Sequence, residues 1–102
     1  MTEIRQLRKA LIERILDGGG TASRSQRRAA FENAGLTEPL RTLVQKVAAQ
    51  ANAVTDRDIA AARASGLTED QIFEIVVCAA VGQSTRQYDS ARAALDLAVG
   101  KE

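Results

Sequence analysis

Apolar residues recur along this chain at helical spacing almost from its first residue to its last. Ile4, Leu7, Leu11, Ile12 and Ile15 form one stripe, with Arg5, Arg8, Lys9 and Glu13 between them. The pattern predicts a first helix over about Glu3–Asp17. Gly18-Gly19-Gly20 ends it, glycine being the residue that takes the left-handed conformation at little cost. Thr21–Ser25 reads as a short loop, and a second helix over about Gln26–Asn33 carries Phe31 and closes at Gly35. Pro39 suits the first turn of a third helix reaching about Asn52, with Leu40, Leu43, Val44, Val47, Ala48 and Ala51 as its stripe.

Two helix starts are written out in full. Thr55 precedes Asp58 by three residues, and Val54 and Ile59 flank the pair; Thr68 precedes Gln71, with Leu67 and Ile72 outside them. Each is a capping box with a hydrophobic staple, and the acidic first turns suit the positive end of the helix dipole. The helix from Thr68 is apolar nearly all round through Ile72–Val81, which predicts the most buried element. Gly82 marks its end or a kink. A last helix over about Ser84–Val99 presents Tyr88, Ala91, Leu95 and Ala98. The string Gly-Leu-Thr-Glu occurs at Gly35–Glu38 and again at Gly66–Glu69, but the stripes beyond fall out of register, so it is reused punctuation and not a repeat. The expected fold is all-α, one domain of five to six helices.

Composition sharpens this picture. The chain of 102 residues has three aromatics, Phe31, Phe73 and Tyr88, and nineteen alanines. Alanine favours helix, but each one buries little area, so further apolar surface is expected to be buried between subunits. Net charge is +1, which disfavours general affinity for nucleic acid. Residues 1–50 hold nine Lys/Arg against five Asp/Glu, and residues 51–102 hold five against eight. No apolar run reaches the roughly 20 residues a membrane helix needs, and Met1 leads straight into a charged segment with no signal-peptide pattern. A cytoplasmic setting is expected.

The candidate chemistry is thin. There is no histidine and one cysteine, which removes the usual proton relay, any internal disulfide and the familiar zinc and iron–sulfur sites within one chain. No cofactor or metal site is expected. Thr55–Asp58 has the acids of a carboxylate metal site but lacks the calcium-loop pattern, and capping explains it better. Cys78 lies in an apolar run and reads as inert packing. Glu74 is a carboxylate on that same helix, either facing water or ion-paired, or buried with a task of its own. Arg24, Arg27 and Arg28 invite a phosphate but have no phosphate loop beside them, and Gly18–Gly20 lacks the Lys-Ser/Thr ending of a P-loop. Arg86, Tyr88, Asp89 and Arg92 lie within two turns, where Tyr88–Arg92 and Asp89–Arg92 are candidate surface or interface pairs.

Over Leu40–Leu95 the chain resembles the alkylhydroperoxidase-D-like / carboxymuconolactone decarboxylase family. The resemblance rests on Ala-Ala-Arg-Ala-Ser-Gly ending at Gly66, then Leu-Thr-Glu-Asp-Gln-Ile, then Phe73–Gly82. It implies that residues 36–100 form the family core and 1–35 an N-terminal helical extension. It also implies assembly as trimers or hexamers through helical faces. Redox-active relatives carry Cys-x-x-Cys-x-x-x-His on the helix ending at that glycine; here those positions are Ala51, Val54 and Asp58. None keeps the chemistry. The assisting glutamate of some relatives would fall near Pro39, with Glu38 out of register. The resemblance therefore implies a scaffold whose thiol peroxidase activity is lost, an oligomer binding a partner protein or small ligand. The alternative is an enzyme of histidine-free carboxylate and arginine chemistry, decarboxylase- or isomerase-like, with Glu74, Cys78, Arg86 and Tyr88 as weak candidates around one cavity. A nucleic-acid-binding helical module has only Arg24–Arg28 and the basic N-terminal half behind it.

Overall fold

Alternating caps and apolar stripes produce α1 (Thr2–Asp17), α2 (Arg24–Glu32), α3 (Leu40–Gln50), one 3₁₀ turn (Ala51–Ala53), α4 (Asp56–Ala64) and α5 (Glu69–Ala98). The computed structural model describes residues 2–100, and among them there is no strand. The chain is an all-α domain, and no helix of it is long and apolar enough to cross a membrane.

Both capping boxes form. Thr55 accepts from the Asp58 amide while Asp58 accepts from the Thr55 amide, and Thr68 and Gln71 do the same at the head of α5. Val54, Ile59 and Leu67 pack against the core beside buried Ile72. Ser23 caps α2 by accepting from the Gln26 amide, two residues earlier than the stripe alone suggests. Asn33, not Gly35, closes that helix in the left-handed conformation, with φ 54°. Pro39 stands just before α3 with no side-chain cap of its own; Glu38 supplies one, accepting from the Thr42 amide at 3.1 Å and the Thr42 hydroxyl at 2.7 Å.

The readings of Gly18–Gly20 and of Gly82 also need correction. The glycines after α1 do not stop it by a left-handed turn, since positive φ among the glycines is confined to Gly35, Gly66 and Gly100. The end of α1 is instead closed by an arginine from α2, described below. Gly82 does not end a helix: α5 runs unbroken for 30 residues. A methyl group on Gly82 would collide with the Phe31 carbonyl, so this glycine is where the end of α2 presses onto α5.

The core is built where α1, α2, α3 and α4 meet the first half of α5, around Leu43, Val44, Ile75, Cys78 and Ala79. Beyond Gly82 no residue of α5 is buried, and among the described residues of α1 only Leu16 is. The first half of α1 and the second half of α5 therefore leave the core together as an antiparallel pair, joined where Arg8 meets Thr85. The molecule is a rod of 51 × 28 × 20 Å. Only one side of α5 is covered, against the expectation of burial all round: Phe73 is 69% exposed.

Candidate functional site

A dense polar cluster lies where the α1–α2 loop meets α5. Glu74 accepts from the Thr21 amide at 3.0 Å, the Thr21 hydroxyl at 2.9 Å and the Ala22 amide at 2.9 Å. One turn earlier, Gln71 donates to the Thr21 carbonyl at 3.1 Å. The loop is thus clipped to α5 through both its donors and its acceptor. The Thr21 and Ala22 amides hold the Glu74 carboxyl below the usual carboxylate range. Gly20 allows this approach, since a Cβ there would crowd the Glu74 carboxylate. Glu74 is therefore neither ion-paired nor simply facing water.

Arg27 lies behind this clip, 5% exposed. It donates to the Ile15 carbonyl at 3.2 Å and the Gly18 carbonyl at 2.8 Å, closing the C-terminal end of α1, whose last carbonyls have no helical partner. Cys78 offers its thiol to the same Ile15 carbonyl at 3.6 Å. Burial raises the Cys78 pKa, the largest influence on it. Glu74, Cys78, Arg27, Arg14, Phe73 and Val77 line an open cavity of about 230 Å³.

The other candidates are elsewhere. Arg86 donates to the Phe31 carbonyl at 2.6 Å and to Gln83 at 3.1 Å, helping to fasten α2 to α5. Tyr88 finds its partner on α1 and not in Arg92: the Arg8 guanidinium lies 4.4 Å from the ring centroid. Neither Arg86 nor Tyr88 lines the cavity of Glu74 and Cys78, so the structure does not bring the four weak candidates together. Arg24, Arg27 and Arg28 also diverge, with Arg27 buried and Arg28 paired to Asp17 at 3.4 Å. At the degenerate motif, Ala51 is in the 3₁₀ turn, Val54 follows it, and Asp58 is in the first turn of α4. The Lys46 ammonium, 2.9 Å from Asp58, and the Thr55 amide together hold its carboxyl below the usual range. Among the described residues no three Asp, Glu or Cys side chains gather as a metal would require.

Two residues that organise this region are not legible as such in the sequence. Arg27 looks like one of three surface arginines, and Gly82 like a helix breaker; only the packing of α2 reveals their work. No family model, curated protein or solved structure matches the chain.

Proposed function

We propose that this chain is a non-catalytic, self-assembling helical scaffold of the alkylhydroperoxidase-D-like / carboxymuconolactone decarboxylase type, which binds a partner protein or small ligand as an oligomer. The observation that carries the reading is surface left uncovered. A globular monomer of this mass exposes about 5,600 Å², whereas the chain exposes 6917 Å². Its radius of gyration is 15.3 Å, against about 13 Å for a compact domain of this length. The excess, on the order of 1,000 Å², is of the size that each subunit buries in a stable oligomer.

The excess has a place. Among the described residues, every large apolar side chain left exposed belongs to α1, to α5 or to the residue that caps α5: Ile4, Leu7, Leu11, Phe73, Leu95, Leu97 and Val99. On α1 the stripe Ile4–Leu7–Leu11 continues into Arg14. On α5, Phe73, Val77, Ala80 and Ser84 follow three or four residues apart, and Ala91, Leu95 and Ala98 resume the stripe past Gln87. Arg14, Phe73 and Val77 line one cavity, which supports both stripes opening to the same side of the molecule. Small residues spaced in this way let a second helix approach closely, and the occupant that fits best is another copy of the chain. The groups nearest to chemistry are already engaged in structure, Glu74 by loop amides and Cys78 by burial. That supports a scaffold over a histidine-free enzyme.

The test is a charge placed on each stripe. Leu11→Glu combined with Ala91→Glu is expected to keep the helical circular dichroism and to sediment as a single chain. An unchanged assembly mass would sink the assignment of this face.

A further inference from the structure

Where α1 and α5 leave the core together, they flank a second, open groove of about 540 Å³. Its volume is within the roughly 300–1,000 Å³ usual for small-molecule sites. Arg5, Arg8 and Lys9 reach it from α1 and Arg92 from α5, with Ile12 and Tyr88 as its half-buried apolar floor. Glu13 and Asp89 are the acidic groups on its walls, two against four cations. None of the ion pairs among the described residues uses any of these four cations. Arg8 is the fixed member: it donates to the Thr85 hydroxyl at 3.1 Å and lies over the Tyr88 ring. A guanidinium held in this way has lost part of its freedom before any ligand arrives. Arg5 repels Arg8 and Lys9 at three- and four-residue spacing along one helix, an arrangement unfavourable to the free helix and relieved by an anion.

We propose that this groove binds a small organic anion, its phosphate or carboxylate held by Arg5, Arg8, Lys9 and Arg92 and its apolar body lying on Ile12 and Tyr88. The two acids disfavour a long polyanion, and the partly apolar floor favours an anion with a hydrocarbon part over a bare one. Both walls belong to one chain, so the site goes beyond the assembly reading and does not depend on it.

The experiment uses butyl phosphate, butyrate and inorganic phosphate on the intact protein at low salt. Tyr88 is the only tyrosine and there is no tryptophan, so intrinsic emission reports on the groove alone; backbone amide shifts locate the site. The expected result is saturable quenching of Tyr88 with shifts confined to residues near 5–13 and 85–92. One or both butyl compounds should bind more tightly than inorganic phosphate, and which of them leads identifies the head group. Arg5→Ala with Arg92→Ala removes two of the four cations and should weaken binding roughly tenfold or more, at least what one lost charge-assisted contact costs. Arg41→Ala with Arg63→Ala removes the same charge elsewhere and should leave binding unchanged. Equal weakening by both pairs, shifts scattered over the surface, or no saturation would overturn the proposal. So would tight, steeply salt-dependent binding of an oligonucleotide alone. Sedimentation of the same samples reports assembly separately, so failure of the groove and failure of the scaffold reading are distinguishable.

Discussion

Arg86 donates to the carbonyl oxygen of Phe31 at 2.6 Å, and that same carbonyl overhangs Gly82 one turn earlier on α5. The last turn of α2 is thereby fastened to the middle of the long helix, at its last buried residue, Gly82. This contact divides the molecule into a packed core and a projecting pair of helices.

Gly82→Ala gives the contact a sign. In an exposed helix the change would stabilise by up to about 1 kcal/mol. Here the added methyl meets backbone, and overpacking costs about 1–3 kcal/mol. The expected outcome is a lower thermal midpoint, by roughly 5–15 °C for a domain of this size, measured by circular dichroism. A rise in the midpoint would mean that α2 does not press on α5 there.

Glu74 makes stability depend on pH. Its folded pKa is lowered by the Thr21 and Ala22 amides, so its contribution is present above the unfolded carboxylate range and is lost as pH falls through the folded pKa. Glu38 and Asp58 act in the same direction. Urea denaturation of the parent protein should show falling stability below about pH 4.5. Glu74→Gln should be less stable at pH 7 by about 1–2 kcal/mol, through the loss of charge-assisted hydrogen bonds, and should flatten that acid dependence. Parallel pH curves for the two proteins would remove Glu74 from the clip.

Cys78 is 1% exposed and its thiol is pushed up by burial, so the folded protein should resist a thiol-specific reagent at pH 8. In denaturant it should react fully. Rapid labelling of the native state would show that the cavity admits reagents to the sulfur.

The sequence discloses the local elements well and their mutual contacts poorly. Thr55–Asp58 and Thr68–Gln71 are legible because a capping box is satisfied within four residues, and both form as read. The continuity of α5 is not legible, because a glycine within a helical stripe signals either a break or a close approach, and only the position of Phe31 decides between them. The role of Arg27 is hidden for the same reason: its partners, Ile15 and Gly18, are backbone carbonyls of another helix, and carbonyls carry no sequence signature. Glu74 is conspicuous as an acid in an apolar run. Its partners are the Thr21 and Ala22 amides, however, and these turn a candidate acid into a clip. The groove of Arg5, Arg8, Lys9 and Arg92 needs α1 and α5 to be antiparallel, which no stripe in either helix specifies.

Sedimentation equilibrium of the unmodified protein over a concentration series tests the scaffold reading most directly. The expected mass is a multiple of the 10.9 kDa chain, three or six by the family resemblance, held at tens of micromolar and reduced to one chain by Leu11→Glu with Ala91→Glu. A single 10.9 kDa species throughout the series would contradict it.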